Sequence, residues 1–168
     1  MNSKNVSAPF IQTTLIIAAF VVLAVVVLII VDSLGGRSRD TQRISAISSL
    51  QSLLSLYASD NSGNYPATLS ELVPEYIPAL PKEPSSHSSS GYSYAAIGSG
   101  SNCTSYHLGV SLENTSNSVL KTDNDASPQP VCTGSATDFN GLSSAPAGTP
   151  CGTDSGNGKS ESCYDVTP

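Results

Sequence analysis

The sequence of 168 residues has no tryptophan, two histidines and few charges, with only 12% of its residues charged. A typical globular domain has about a quarter. Seven basic residues stand against 13 acidic ones, a formal net charge of -6, so no basic surface is available to neutralise phosphates and nucleic acid is not an expected partner. The histidines, His87 and His107, lie apart, and the chain has neither a Cys-x-x-Cys pair nor a Gly-rich phosphate loop. We therefore expect a protein that is not an enzyme.

One long apolar segment lies near the N-terminus, where Leu15 to Val31 contains no polar side chain. Phe10 and Ile11 extend it, and as a helix the full segment would be roughly 33 Å long, enough to cross a bilayer core. A secretory signal peptide is one alternative, but its apolar region usually has about 7 to 15 residues. A buried helix of a soluble domain is another, but the rest of the chain is too polar to surround it. We predict a transmembrane helix over residues 10–34.

A second helical segment follows Gly35 and Gly36. The two glycines each cost roughly 1 kcal/mol relative to alanine, so we expect a kink or a locally melted turn between the two helices. Charges of both signs mark the start of the second helix, where they either face solvent or form ion pairs: Arg37, Arg39, Asp40 and Arg43. Apolar residues then recur every three or four positions, which indicates one buried face: Ile44, Ile47, Leu50, Leu54 and Tyr57. Turn formers after Asp60 end the helix.

Short elements of both kinds come next. Thr68 and Glu71 have the spacing of a capping box, which predicts a turn or two of helix. Alternating apolar residues predict two strands, near residues 92–96 and 106–112, paired as an antiparallel hairpin. Residues 114–162 are rich in Ser, Thr, Asn, Gly and Pro, which predicts loops. Tyr164 and Val166 are the late candidates for another strand.

Several motifs in this order resemble one family. They are Arg39-Asp40-Thr41-Gln42-Arg43-Ile44, Asp60-Asn61-Ser62-Gly63-Asn64-Tyr65-Pro66, Leu72-Val73-Pro74-Glu75-Tyr76-Ile77-Pro78, Leu80-Pro81-Lys82-Glu83-Pro84 and Gly91-Tyr92-Ser93-Tyr94. Together with the apolar N-terminal helix, the chain resembles bacterial type IV pilins, and most closely the major pseudopilins of type II secretion systems. The resemblance covers roughly residues 10–112, and its strongest part is the stretch from Tyr65 to Pro84.

The resemblance implies an α+β fold shaped like a lollipop. A long N-terminal helix, membrane-spanning in its first half and amphipathic in its second, packs on a small antiparallel sheet, and the C-terminus is loop-rich and disulfide-bonded. The expected segments are a leader-like stretch at 1–9, the transmembrane and polymerisation helix at 10–34, an amphipathic stem at 35–60, a head at 61–113 and variable loops at 114–168. Identical copies would assemble into a filament through the first helix, whose side chains include Phe10, Leu15, Phe20, Val25, Val26 and Val31.

The same resemblance points to a leader cleavage site at Pro9 and Phe10. Family members have glycine before the cut and glutamate five residues into the mature chain, whereas this sequence has Pro9 and Thr14. Proline presents a rigid ring where glycine is flexible, so we expect a prepilin peptidase to cleave here slowly or not at all.

Four cysteines lie in the loop-rich part of the chain: Cys103, Cys132, Cys151 and Cys163. An even number in a region with little core is typical of disulfides formed in an oxidising compartment, and four cysteines allow three pairings. Reduced thiols or a zinc site are the alternatives, but the spacing provides no close ligand pair. Basic residues after the apolar helix would place the C-terminal part in the cytoplasm by the positive-inside rule. We give the cysteines more weight and expect it outside.

One short acidic run, around Asp123 and Asp125, offers oxygen ligands of the kind that calcium prefers. Asp138 and Asp154 would join it if the loops fold back. Major pseudopilins are similar in binding calcium in a C-terminal loop, whereas most short acidic runs are only solvated. Calcium is thus a candidate cofactor rather than a firm one.

These patterns favour a structural subunit of an extracellular type IV pilus-like filament. The chain would be held in the cytoplasmic membrane before the pilus assembly machinery incorporates it. One alternative is a major pseudopilin of a type II secretion system, and another is an unpolymerised, membrane-anchored module that binds a surface.

Overall fold

A computed structural model describes residues 8–84, 91–146, 149–154, 158 and 160–168, and within the long helix it describes the side chains of residues 15–26 and those from 35 onward. This helix, α1, spans Ala8–Asp60. It runs through Gly35 and Gly36 without the melted turn that we expected, because helical residues on both sides offset the cost of roughly 1 kcal/mol per glycine. The chain forms two compact units, Met1–Gly36 and Arg37–Pro168, each described by itself.

The first unit contains the apolar part of α1. Its large side chains are about half exposed or more all round the helix, from 66% for Phe20 and 64% for Leu15 to 45% for Val26. Among the residues that the structure describes, no helix meets the length and apolarity needed to cross a membrane. The predicted span at 10–34 extends over side chains outside the described residues, those of Phe10 and Val31 included, and it stays a prediction.

The second unit is an α+β domain whose core lies between α1 and one sheet. Ile47, Leu50 and Leu54 are buried, and Ile44 and Tyr57 pack beside them, which confirms the predicted apolar face. The sheet contributes Tyr106, Leu108 and Val110, which are at most 2% exposed. Periodicity of 3.6 on the helix and of 2 on the strand thus places both apolar faces in one core.

The sheet has three antiparallel strands in the order β1-β2-β3: β1 at Tyr92–Ser99, β2 at Asn102–Ser111 and β3 at Cys163–Val166. The predicted hairpin is confirmed, with Tyr92 opposite Val110 and Tyr94 opposite Leu108. β3 pairs with the other edge of β2. The other elements of this unit, among the residues that the structure describes, are two 3-10 helices, Leu69–Leu72 and Ser118–Lys121. The first has only four residues because Pro74, which follows closely, prevents the helix from continuing.

Two disulfides hold the loops between β2 and β3, as the cysteine count predicted. Cys103 pairs with Cys132, and Cys151 pairs with Cys163, with Cα–Cα distances of 5.5 and 5.4 Å. The first bridge ties the start of β2 to a segment that adds an isolated bridge to β1, at Ile97 and Val131. Each bridge limits the unfolded chain, an effect of about 3 to 4 kcal/mol for loops of this size.

A buried guanidinium joins three distant segments of this unit. Arg43 is 1% exposed, and it donates to Asp40 at 2.7 Å, to Glu113 at 2.9 Å and to Glu83. Glu83 lies between the first 3-10 helix and β1, and Glu113 lies two residues after the end of β2. Burial by itself lowers the pKa of Arg43, but its three carboxylate partners raise the pKa overall, so the group remains charged.

The carboxylate of Asp40 extends this network to the backbone. It accepts the N–H groups of Glu113 and Asn114, both at 2.9 Å, while Arg39 donates to Glu113 at 2.6 Å. Hydrogen bonds from Arg39 lead the causes that lower the pKa of Glu113. Arg39, Asp40 and Arg43 are therefore paired within the chain, whereas Arg37 is exposed. The paired charges fix α1 against the end of β2.

We predict that Arg43→Leu lowers the free energy of unfolding by about 3 to 5 kcal/mol, because Asp40 and Glu83 would stay buried without their cation. Urea unfolding followed by circular dichroism measures the change. Arg37→Leu is the matched control, because Arg37 is exposed, and it should change stability by no more than about 0.5 kcal/mol. Equal stabilities for the two variants would show that the network does not hold the fold.

Candidate metal centre

The imidazole of His107 is buried between two aspartates. Its Nδ1 lies 2.7 Å from Asp138 and its Nε2 lies 2.9 Å from Asp165, and all three side chains are at most 2% exposed. Phe139 stacks on the ring with the centroids 3.7 Å apart. Strand alternation places His107 on the face of β2 opposite Tyr106 and Leu108, where the loops before β3 cover it.

The two aspartates that face His107 also accept hydrogen bonds from backbone N–H groups. Asp138 accepts the N–H groups of Gln129 at 2.7 Å and Phe139 at 2.9 Å, and Asp165 accepts those of Asp125 and Ala126, both at 3.0 Å. Both ring nitrogens face carboxylate oxygens, an arrangement that favours the imidazolium, in which both nitrogens donate. Burial alone lowers the pKa of His107, but the two aspartates raise it overall.

Asp165 connects this histidine to a second acidic group. Oxygens of Asp123, Asp125 and Asp165 all lie within 4.8 Å of one another. The N–H of Asp165 also points to Asp123 at 3.4 Å. Gly141 leaves the space for Asp165, since a Cβ at that glycine would lie 2.8 Å from the carboxylate. The last strand and the loop at 123–126 therefore bring three carboxylates together.

Glu161 is a fourth carboxyl group that interacts with this cluster. Burial, followed by the charges of the three aspartates, raises its pKa to about 8. Burial raises the pKa of Asp123 to about 6, with Asp165 and Asp125 adding to the effect. Among the described residues, one buried oxygen each of Asp123 and Glu161 has no hydrogen-bond partner. The cluster thus combines mutual repulsion with unused oxygen ligands.

These residues fit a hard divalent cation. Calcium takes six to eight oxygens, and carboxylates are its main charged ligands. A bound cation would use the unpartnered oxygen of Asp123 and would offset the repulsion that adds to burial in raising the two pKa values. His107 would hold Asp165 in position from the opposite side, in the way that outer partners orient metal ligands.

The structure brings together some of the residues singled out from sequence. Asp123 and Asp125 lie in the cluster, while their binding of calcium stays a prediction. Asp138 lies against His107 instead, and Asp154 accepts from Ser144 at 2.9 Å. His87 lies outside the described residues, as do the side chains at the predicted cleavage site, Pro9 and Phe10.

Sequence reasoning missed Asp165, Glu161 and the role of His107. Asp165 lies between Tyr164 and Val166 in the predicted last strand. Because successive side chains of a strand alternate between the two faces of the sheet, the sequence already places Asp165 on the face opposite Tyr164 and Val166. No local spacing related it to Asp123, which is far away along the chain.

Comparison with protein-family models, curated proteins and solved structures gave no match to this chain.

We predict that calcium raises the melting temperature at neutral pH, because an ion that binds only the folded chain stabilises it by mass action. Thermal unfolding in 5 mM calcium and in a chelator measures the shift. This concentration is about five- to fiftyfold above the dissociation constants of about 0.1 to 1 mM that are typical of extracellular calcium sites. Asp125→Asn should reduce the shift, whereas Asp154→Asn serves as the control outside the cluster. Equal melting temperatures with and without calcium would contradict the site.

Without a cation, we predict that stability falls as the pH rises from about 5 to about 9. The folded pKa values of Glu161, Asp123 and His107 are all raised, so each group binds its proton more tightly in the folded chain. Each contribution is complete below the unfolded pKa and is lost as the pH passes through the folded one. Melting curves in chelator give the profile, and Glu161→Gln should flatten its upper part. Stability that rises over this range would contradict the prediction.

Proposed function

We propose that the chain is a structural subunit of an extracellular type IV pilus-like filament that polymerises through the first part of α1. The role is structural rather than catalytic. Before assembly, the apolar helix holds the chain in the cytoplasmic membrane, with the α+β domain outside the cytoplasm. The expected partners are the pilus assembly machinery and a prepilin peptidase, which would cleave slowly or not at all between Pro9 and Phe10.

The observation that carries this proposal is the exposed apolar surface of α1. Residues Leu15, Phe20 and Val25 are 64%, 66% and 50% exposed, and large apolar side chains cover every side of this part of the helix. Each square ångström of such surface that leaves water contributes about 25 cal/mol. Lipid and a bundle of identical helices both bury this apolar surface on all sides. The same surface can therefore anchor the chain in the membrane before assembly and hold the filament together afterwards.

The disulfides support the proposed location. Cys103–Cys132 and Cys151–Cys163 pair all four cysteines. Structural disulfides persist in periplasmic and extracellular proteins and are rare in the cytosol. The long loops between β2 and β3 depend on these bridges, so the domain is suited to an oxidising compartment.

A major pseudopilin of a type II secretion system is the second candidate. The carboxylate cluster of Asp123, Asp125 and Asp165 favours it, because the major pseudopilins that the sequence resembles bind calcium in a C-terminal loop. Both candidates polymerise through the first part of α1. They differ in location, because a pilus extends outside the cell whereas a pseudopilus remains in the periplasm. Secretion of exported enzymes, measured in cells with and without the gene, separates the two.

We predict that Val25→Asp abolishes filaments or reduces them strongly. An aspartate at the centre of an apolar helix costs roughly 2.5 to 3.5 kcal/mol in the membrane, and it remains unpaired in a helical core. Electron microscopy of cells and the amount of sheared filament protein measure the effect.

Val25→Leu is the matched control and should assemble like the native chain. Native filament yield from Val25→Asp would contradict polymerisation through this helix. If the native chain is produced and stable but forms no filament, the unpolymerised, membrane-anchored binding module becomes the better account.

A further inference from the structure

A groove runs along one side of α1 in the second unit, between the helix and the segment from Glu71 to Lys82. Two hollows of about 490 and 510 Å³ lie along it, and we call the pair the stem groove. Leu53 and Ile77 line one hollow. Tyr57, one turn further along α1, and Tyr76, next to Ile77 in the chain, line the other. The helix residues of the groove recur at intervals of three or four, so they lie on one face: Gln42, Ala46, Ser49, Leu53, Tyr57 and Asp60.

One end of the stem groove is acidic. Asp60, Glu71 and Glu75 line it, and no basic residue does. Two tyrosines hold the carboxylates in place, since Tyr57 donates to Glu71 at 3.1 Å and Tyr76 donates to Asp60 at 3.2 Å. Their rings lie 5.4 Å apart. Carboxylates next to aromatic faces suit an ammonium or guanidinium group.

The other end of the stem groove is basic. Lys82 is exposed and lines it beside Thr41, and the exposed Arg37 lies one helical turn earlier. Neither forms an ion pair within the part of the chain that the structure describes. Between the two ends the lining is mostly apolar and includes Ala46, Leu53 and Ile77. At 1.5 Å per residue, Gln42 and Asp60 are roughly 27 Å apart along the helix.

We propose that the stem groove is a head-to-tail interface between copies of this chain, in which the acidic end of one copy binds Lys82 and Arg37 of the next. The proposal rests on the proposed filament, because a shared bundle of first helices makes all copies point the same way. Parallel copies at equal height would place like charges together, whereas a shift along α1 by about the length of the groove places opposite charges together. An interface that repeats by such a shift does not close and produces a filament.

Cysteine cross-linking of the full chain in cells tests this geometry. Glu75→Cys and Lys82→Cys in one chain should give a ladder of dimers, trimers and larger species on mild oxidation, read on non-reducing gels. The native cysteines are already paired and do not interfere. Either cysteine alone should give no ladder, and Glu75→Cys with Lys121→Cys is the control, since Lys121 is exposed and does not line the groove.

Dimers without larger species would indicate an antiparallel two-fold pair and would overturn the head-to-tail arrangement. Cross-linking no stronger than in the Lys121→Cys control would overturn the interface. A ladder from cells that form no filament would keep the interface and refute the proposed function. Filaments whose double-cysteine subunits give no ladder would support the proposed function and refute the interface.

Charge reversal supplies a second measurement that does not depend on oxidation. Glu75→Lys and Lys82→Glu should each lower filament yield roughly threefold or more, since each replaces an attraction by a repulsion. The two changes in one chain restore opposite signs at the ends and should recover most of the yield. Lys121→Glu should leave the yield unchanged. Equal losses in the single and double variants would contradict charge pairing along the groove.

Discussion

The position of α1 on the sheet depends on the guanidinium of Arg43. Three carboxylates from separate parts of the chain converge on it, and Asp40 passes the constraint to the backbone just after β2. Taking these charges out of water costs several kcal/mol for each ion, so the arrangement is stable only when all partners are present. Apolar packing would allow the helix to slide by a turn with little change in buried area. A buried cation with fixed partners does not allow it, because any slide separates Arg43 from Glu83 and Glu113.

His107 plays the same part on the opposite face of the sheet. The helix covers one face with apolar side chains, while loops with few apolar residues cover the other. A loop cannot bury enough apolar surface to offset the entropy of ordering it, so other interactions must hold it. The hydrogen bonds of His107 to Asp138 and Asp165, together with the Cys151–Cys163 bridge, supply them. The domain therefore has an apolar half and a polar, cross-linked half that meet at β2.

Local patterns in the sequence predicted the elements well. The spacing of Ile47, Leu50 and Leu54 gave the buried face of α1, and alternation gave the hairpin and the last strand. These predictions depend on neighbours within a few residues, which a single sequence displays. The cysteine count predicted two bridges, but it left three pairings open, because pairing depends on where the loops cross.

The polar centres were beyond sequence reasoning for the same physical reason. Arg43 is 40 residues from Glu83 and 70 from Glu113, and His107 is 58 from Asp165. Nothing in the local spacing relates such pairs, since the fold alone brings them together. Asp125 belonged to a visible acidic run, but Asp165 joins it from β3 and Glu161 from the segment just before β3.

The place of β3 in the chain order determines when this domain is able to finish folding. α1 and the hairpin precede it by many residues and have their apolar contacts with each other, so they can associate while the rest is still being made. Asp165 arrives only with β3, and until then His107 lacks one of its two carboxylates and Cys151 lacks its partner. Until β3 is made, the apolar face of the sheet can be covered by α1 while its polar face stays open. A chaperone that binds the chain at this stage would meet its loops rather than its core.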